Sequence, residues 1–435
     1  MSGIADIGSV KGAAIRMAAI DTDIKNAALE SIAGSLLKNK ELIAEVNMRD
    51  VERAKADNLS APIIKRLVMD EQKVEAAAAG IRSLIALEDP VGKQLLATEL
   101  SPGLILRKIT CPIGVVGVIF ESRPDALIQI ACLCLKSGNA VILKGGSEAS
   151  GSNLLLTKLI REASIERGLP DAWIIQLETR SEINEILKMD ADIDLLIPRG
   201  SYTLVKYIMD NTRIPVLGHS EGICHCYIDA DANTEMAVRI AVDSKTQYAA
   251  VCNATETLLV HKDAAPAFLP ALWAALNGAV STASPIVAIR GCEETLRILE
   301  GYPVEAATDD DWSAEYLDYI LAVKVVDNIR DAIEHINRYG SKHTDAIVTD
   351  DDDAAKEFML YVDSANIFHN CSTRFSDGFR YGFGAEVGVS NGKIHARGPV
   401  GLDGMVTYKY LLSGSGDIVD DYERGKRVFT HKPIK

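Results

Sequence analysis

The feature that most constrains this chain is a regular alternation of short apolar runs with helical segments, which begins near Leu104. The apolar runs predict strands, and the amphipathic segments between them predict helices joined by short turns. Strands that alternate with helices in this way form parallel sheets covered by helices, so we predict an α/β fold. A second series of the same kind begins near Glu256, which predicts two such sheets within the 435 residues.

The segments can be bounded from the pattern. The first series has strands at 104–109, 115–120, 140–143, 173–176 and 194–197 and helices at 126–136, 147–167, 181–189 and 201–209. The second has strands at 257–260, 286–289, 321–326, 345–348 and 364–369 and helices at 264–276, 329–336 and 352–360. Residues 21–55 predict one or two long helices, 61–87 a further one, and 405–412 a strand in a glycine-rich tail.

Charge and apolar content exclude several classes of partner. The net charge of −15 disfavours nucleic acid and anionic lipid. The longest apolar stretch, 126–135, is shorter than the roughly 20 residues of a membrane-spanning helix. The first twenty residues lack a basic start followed by an apolar block, so we expect a cytoplasmic protein with reduced thiols.

The eight cysteines do not have the spacing of a zinc site. Cys132 and Cys134 are separated by one residue, as are Cys224 and Cys226, whereas zinc knuckles use two to four. Cys224 and Cys226 would share one face of a strand, where small buried hydrophobic residues explain them well. We therefore expect no metal centre.

One cysteine stands where a nucleophile could act. Cys252 lies in a loop, 247–254, just before the second series. A thiolate is a strong nucleophile and a thioester accepts hydride well, although the residue pattern by itself favours a buried and inert thiol. Gly145-Gly146-Ser147 follows a predicted strand and could present N–H groups to a phosphate or ribose, with a tight turn as the alternative.

Three motifs resemble the aldehyde dehydrogenase superfamily in the same order: 112–119 its first nucleotide-domain strand, Pro198-Arg199-Gly200-Ser201 its turn at the nicotinamide, and the Cys252 loop its catalytic cysteine. More narrowly, residues 120–124, 213–219, 326–347, 384–388 and 392–402 resemble the gamma-glutamyl phosphate reductase family, so that the similarity covers essentially the whole chain.

The resemblance implies an aldehyde dehydrogenase-like fold with two Rossmann-like parallel-sheet domains and a small β oligomerisation element. The implied limits are 1–245 for a nucleotide-binding domain, 246–400 for a catalytic domain and 401–435 for an oligomerisation tail, with a hairpin at 92–112 contributing to oligomerisation. A homo-oligomer, dimer or tetramer, is expected because the tail strand would extend a neighbouring subunit's sheet.

The implied reaction is the NADPH-dependent reduction of L-glutamyl 5-phosphate to L-glutamate 5-semialdehyde and phosphate through a thioacyl intermediate on Cys252, the second step of proline biosynthesis from glutamate. Two departures from hydrolytic aldehyde dehydrogenases support this narrower family. The stretch 216–221 has no carboxylate at the place of their water-activating glutamate, and Ser122 replaces their oxyanion asparagine.

The resemblance also implies site residues. The expected cofactor-binding residues are Lys144, Gly200, Ser201 and Glu315. The expected substrate-binding residues are Ser122, Arg123, His219, His343, Arg374 and Glu386. Each charged one could instead be structural, as an ion pair or, for Glu315, as an acid at a helix start.

Two rival interpretations remain open at this level. A related acylating aldehyde dehydrogenase would use coenzyme A in place of phosphate. A non-catalytic scaffold would keep the fold and bind a nucleotide or a partner such as glutamate 5-kinase. Contact with that kinase is also a hypothesis for the enzyme.

Overall fold

The computed structural model describes residues 7–177, 181–218, 221–278 and 286–434. The helices are α1 (Ile7–Met17), α2 (Thr22–Lys38), α3 (Lys40–Ala56), α4 (Ala61–Leu67), α5 (Glu71–Ala86), α6 (Pro124–Lys136), α7 (Ser150–Ile165), α8 (Ser181–Ile186), α9 (Tyr202–Asp210), α10 (Thr234–Thr246), α11 (Ala265–Asn277), α12 (Glu293–Ile298), α13 (Ile329–Tyr339), α14 (Asp352–Tyr361) and α15 (Val419–Glu423). The strands are β1 (Gln94–Ser101), β2 (Leu104–Pro112), β3 (Val115–Phe120), β4 (Ala140–Gly145), β5 (Ile174–Leu177), β6 (Leu195–Arg199), β7 (Cys224–Ile228), β8 (Thr255–His261), β9 (Ala288–Gly291), β10 (Val304–Ala306), β11 (Ile320–Val326), β12 (Thr344–Val348), β13 (Asn366–His369), β14 (Gly388–Ser390), β15 (Gly398–Val400), β16 (Val406–Ser413) and β17 (Lys432–Pro433).

The chain divides into two compact units. Unit 1 comprises the described residues up to Leu217 together with Phe383–Gly388 and the chain from Val400 onward, and unit 2 comprises Gly218–Gly382 with Val389–Pro399. Each unit contains one parallel sheet, in agreement with the predicted α/β fold.

The parallel sheet of unit 1 has the strand order β5-β4-β3-β6. Ala140 and Ile142, alternate residues of β4, lie in one core with residues of α1, α8 and α9, while α6 also contacts β4 and α7 contacts β5. Both faces of the strands are therefore buried, which explains why they read as continuous apolar runs rather than as alternating ones.

The parallel sheet of unit 2 has seven strands in the order β10-β9-β11-β8-β7-β12-β13. Cys226 and Leu258 lie in a core with α10 and α11, whereas their neighbours Tyr227 and Leu259 lie in a second core with α13 and α14. Successive side chains of a strand point to opposite faces, so helices cover both sides of this sheet. Cys224 and Cys226 are fully buried in β7 on the same face, as predicted.

A third sheet, in unit 1, is antiparallel and has the order β16-β2-β1-β17. The tail strand β16 pairs with β2 over its whole length, from Val406 opposite Pro112 to Ser413 opposite Ile105. The hairpin and the tail that the sequence assigns to an oligomerisation element thus form one sheet within this chain, in which β16 is an edge strand.

The predicted domain limits differ from the two units. The sequence places the end of the first domain at 245, but unit 1 ends at Leu217 before it resumes near the tail. The reason is that β7 hydrogen-bonds to β8 and β12 and that α10 packs in the same core, so that both elements belong to unit 2.

Local sequence signals account for the helix ends. The predicted helix at 21–55 is broken at Asn39, and that at 61–87 is broken after Leu67, where Asp70 caps α5 by accepting the N–H of Lys73. The acidic run before α14 caps that helix, because Asp351 accepts the N–H groups of Asp353 and Ala354. None of the helices in the described ranges has both the length and the apolar character of a membrane crossing.

A buried histidine links the stability of unit 2 to pH. His335 is 5% exposed, and burial lowers its pKa to about 3, with His225, Lys324 and Arg338 adding to the effect. Between about pH 3 and the ordinary histidine pKa of about 6.5, the unfolded chain binds a proton that the folded chain does not. Stability should therefore fall as the pH drops below about 6.5, by up to about 1.4 kcal/mol per pH unit.

We expect a His335→Gln variant to show a shallower loss of stability between about pH 6.5 and pH 4.5 than the wild type. The measurement is the urea midpoint at a series of pH values. The control is the same substitution at His431, which is solvent-exposed and should leave the slope as it is. Equal slopes for His335→Gln and wild type would contradict the assignment.

Candidate active site

Cys252 lies in a turn that joins α10 to β8 in unit 2. Its side chain is half-buried, and all eight cysteines are free thiols. The Sγ–H of the buried Cys224 donates to the carbonyl oxygen of Cys252 at 3.2 Å. Asn253, the next residue, donates to the carbonyl oxygen of Ser376 at 2.8 Å. The turn is therefore fixed at Cys252 and at the residue that follows it.

Gly222 is the closest neighbour of this turn. A β-carbon on it would lie 2.1 Å from the carbonyl oxygen of Cys252 and 2.4 Å from its Cα, so only glycine fits there. The N–H of Gly222 donates to Glu315 Oε1 at 2.9 Å. Glu315, a predicted cofactor-binding residue, is thus brought next to the cysteine turn, and it lies in a loop rather than at a helix start.

The predicted Arg374 also belongs to this region. Its Nε–H donates to Gln247 Oε1 at 3.0 Å, and the neighbouring Thr373 reaches Thr255, the first residue of β8. Burial lowers the pKa of the Arg374 guanidinium and Arg380 lowers it further, whereas the Cys252 sulfur, when ionised, opposes both. Arg374 is therefore a cation near the thiol that could meet an anionic substrate.

His343 lies next to β12 but is fully buried. Its Nδ1 is 2.8 Å from Thr344 Oγ1 and 3.8 Å from Cys224 Sγ. Because the side chain is buried against Thr344 and Cys224, a structural role is favoured over the predicted contact with substrate.

The predicted site residues of unit 1 follow the carboxyl ends of neighbouring parallel strands. Gly200 and Ser201 follow β6, and the N–H of Ser201 donates to Glu121 Oε2 at 2.8 Å. Ser122 follows β3 in a left-handed conformation, with φ of 46°, and both its N–H and its Oγ–H donate to Glu148 Oε1. The hydroxyl of Ser122 is thus committed to Glu148, which argues against its predicted role at the substrate.

Lys144 ends β4 beside an unsatisfied amide. Its Nζ donates to the carbonyl oxygen of Gly145, and the side chain is almost fully buried. A β-carbon on Gly145 would lie 2.2 Å from Nδ2 of Asn153. Asn153 is 1% exposed, and neither its Nδ2 nor its Oδ1 has a hydrogen-bond partner within the described ranges. Buried amides rarely remain unpaired, so this strand end suits a polar ligand.

The glycine turn after β4 does not lead to a free helix start. A short 3-10 turn, Ser147–Ala149, follows it, and α7 begins only at Ser150. The buried Asp50 accepts the N–H and the Oγ–H of Ser152 at 2.7 and 2.8 Å. Because this carboxylate takes donors of the first turn of α7, the predicted capture of a phosphate at that helix start is not supported.

The remaining predicted residues are dispersed. Arg123 occupies the N-cap of α6 in unit 1, and Glu386 lies in the segment Phe383–Gly388 of the same unit. His219 lies outside the described residues. Arg123 and Glu386 therefore belong to a different unit from Cys252.

The sequence interpretation did not identify Lys245 and Glu256, which flank the cysteine turn. Their side chains are fully buried and form an ion pair, Nζ to Oε2, of 2.5 Å. The sequence did contain one indication of this pair, the charged Glu256 at the start of the apolar strand β8. A buried carboxylate requires a partner, so its position predicts that a cation lies close to it.

Comparison with known proteins places the chain in a family. The model of the aldehyde dehydrogenase family matches residues 9–285. The gamma-glutamyl phosphate reductase of Acetivibrio thermocellus is 60% identical over 425 residues, which cover 98% of this chain and 96% of that protein. That of Pelotomaculum thermopropionicum is 58% identical with the same coverage.

Solved structures agree. The gamma-glutamyl phosphate reductase of Thermotoga maritima has a TM-score of 0.92 and 37% identity, covering 96% of this chain and 100% of that one. An acetylating aldehyde dehydrogenase from Geobacillus thermoglucosidasius has a TM-score of 0.65 at 18% identity, with 96% and 97% covered, which shows a shared fold. The chain therefore belongs to the aldehyde dehydrogenase family of oxidoreductases and, within it, to the gamma-glutamyl phosphate reductases.

Proposed function

We propose that the chain reduces L-glutamyl 5-phosphate to L-glutamate 5-semialdehyde and phosphate with NADPH, through a thioacyl intermediate on Cys252. The observation that carries the proposal is a half-buried Cys252 on a turn held by Gly222 and Cys224, whose ionised sulfur would interact with the charge of the Arg374 guanidinium. The name that relatives of 58–60% identity share supports the choice of substrate.

Cys252 acts as the nucleophile in its thiolate form. A bond forms between Sγ and the acyl carbon, the bond from that carbon to the phosphate oxygen breaks, and inorganic phosphate leaves with the electron pair. When bound, NADPH supplies the hydride that reduces the thioacyl carbon. The resulting hemithioacetal then collapses, the carbon–sulfur bond breaks, and Cys252 returns to the thiolate as the semialdehyde leaves.

The residues of unit 1 fit a nucleotide at the carboxyl ends of its parallel strands, a usual place for ligands in such sheets. The amide of Asn153 beside Gly145, which has no hydrogen-bond partner in the described part of the chain, is a polar group that a ligand there would satisfy. Lys144 would hold the adenosine ribose or its phosphate, and Gly200 and Ser201 would line the nicotinamide end. Glu315 remains the predicted carboxylate for a ribose hydroxyl.

The substrate carries a phosphate, an α-carboxylate and an α-amine. Among the predicted residues, Arg374 is our first candidate for an anion because its Nε–H donates to Gln247, which lies in the same loop as Cys252. Arg123 and His219 remain candidates for the second anion and Glu386 for the amine. The segment 216–218 offers no carboxylate to activate water, so the thioester would persist until it is reduced.

We further propose that the protein is cytoplasmic and forms a homo-oligomer through the sheet β16-β2-β1-β17. The outer side of β16 is an edge, and Tyr410 and Leu412 are more than half exposed on it. Exposed apolar edge strands are commonly covered by another chain. Contact with glutamate 5-kinase stays a prediction.

We expect Cys252→Ala to abolish reduction while nucleotide binding is retained, because the substitution removes the sulfur that attacks the acyl carbon. The measurements are initial rates of phosphate-dependent semialdehyde oxidation and mass spectrometry of the acyl adduct formed when reductant is withheld. The adduct should appear on the peptide that contains Cys252.

The matched control is Cys292→Ala, a half-buried thiol elsewhere in unit 2, which should keep the activity. Turnover that persists in Cys252→Ala would remove the thiol from the mechanism. Oxidation of the semialdehyde that depends on coenzyme A and not on phosphate would instead identify the protein as an acylating aldehyde dehydrogenase.

For the oligomer, we expect Leu412→Glu to shift the protein to a smaller species in sedimentation velocity, because a charge on an edge strand disfavours pairing. Leu412 is 57% exposed, and Leu360, 74% exposed on α14, provides the control as Leu360→Glu. A wild type that sediments as a monomer, or an unchanged mass for Leu412→Glu, would contradict assembly through this strand.

A further inference from the structure

The buried pair of Lys245 and Glu256 closes the loop that carries Cys252. Lys245 is the last residue but one of α10, and Glu256 is the second residue of β8. Both side chains are 0% exposed, with Nζ 2.5 Å from Oε2. Since the nucleophile lies between them in the sequence, their contact fixes the two ends of its loop to one another.

The second carboxylate oxygen of Glu256 reaches another segment. Oε1 accepts the N–H of Leu317 at 3.2 Å. Leu317 has φ of 52°, a left-handed conformation that is unfavourable for a residue with a β-carbon. The hydrogen bond therefore helps to hold a strained turn only two residues after Glu315.

Glu315 connects this segment to the cysteine turn. It accepts the N–H of Gly222, and Gly222 packs directly against the carbonyl oxygen and Cα of Cys252. A continuous chain of contacts thus runs from Lys245 through Glu256, the Leu317 turn, Glu315 and Gly222 to the cysteine.

We propose that Glu256, with Lys245 as its charge partner, is a positioning residue that holds the Cys252 turn and the Glu315 segment in one fixed arrangement. This inference rests on the proposed function for the roles of Cys252 and Glu315. It assigns Glu256 no contact with substrate, since its carboxylate is fully buried.

The energetics of the pair agree with this role. Burial raises the pKa of Glu256 to about 7 and lowers the pKa of Lys245, while the charge of each partner opposes the shift in the other. Glu315 also raises the pKa of Glu256, and Asp318 raises that of Lys245. Buried ion pairs often add little net stability, so the contacts that this pair makes explain its presence better.

The test uses the full-length enzyme and the variant Glu256→Gln, which keeps the size of the side chain but removes the charge that Lys245 requires. We expect kcat to fall by about 10- to 100-fold, because small displacements of reacting groups have effects of that size. The dissociation constant for NADP⁺ should rise as Glu315 moves. Alkylation of Cys252 by iodoacetamide, without substrate or nucleotide, should become at least about threefold faster as the turn opens.

A rescue and a control separate positioning from general stability. The double variant Lys245→Gln/Glu256→Gln restores a neutral hydrogen-bonded pair. Its kcat should be at least about threefold higher than that of Glu256→Gln. Asp229→Asn alters another buried carboxylate, at the opposite end of β7, where it accepts hydrogen bonds from Tyr227 and Thr349. This control should leave the alkylation rate and kcat unchanged even if it lowers the melting temperature.

Should Glu256→Gln fail to fold, Glu256→Asp takes its place, since it keeps the charge and shortens the reach by one methylene; the same changes in smaller size are expected. A folded Glu256 variant with the same alkylation rate and kcat as the wild type would overturn the proposal. So would changes in Asp229→Asn as large as those in the Glu256 variant. Because alkylation requires no substrate, it tests the positioning even if the wild type does not turn over L-glutamyl 5-phosphate, a result that would count against the proposed function alone.

Discussion

Every strand of the seven-stranded sheet runs in the same direction, and the surroundings of Cys252 depend on this constraint. In a parallel sheet, the segments that precede the strands all lie at the same end of the sheet, where the strands begin. The order β11-β8-β7-β12 therefore places the residues that precede four neighbouring strands side by side. Glu315, Cys252, Gly222 and His343 each precede one of them, which is why residues far apart in sequence meet there.

Close packing then determines what each position can hold. The approach of Gly222 to the cysteine turn leaves no space for a β-carbon, and the adjacent Cys224 donates to the same backbone carbonyl. A turn held this way has little freedom to relax, so the direction in which the thiol faces is set by its neighbours. The buried charges of Lys245 and Glu256 continue this arrangement into the interior.

In unit 1, carboxylates of the chain itself occupy backbone donors at the ends of strands and the starts of helices. Asp50 takes those of Ser152, Glu121 that of Ser201 and Glu148 that of Ser122. Such donors attract anions, and in this fold several of them are already satisfied. The amide of Asn153 differs from these groups, because it has no hydrogen-bond partner among the residues that the structure describes.

The sequence alone determined the α/β class and most strands of both parallel sheets, and its motifs made Cys252 the candidate nucleophile, because periodicity, turn residues and motifs are properties of neighbouring residues. Only the tertiary structure decided that β7 and α10 belong to unit 2, that Asp50 caps α7, that His343 is buried and that Lys245 pairs with Glu256. Those outcomes depend on strand order and on the close approach of distant segments. A linear pattern does not encode which of several buried strands become neighbours, and a charge in an apolar run reveals that it needs a partner without revealing which residue provides it.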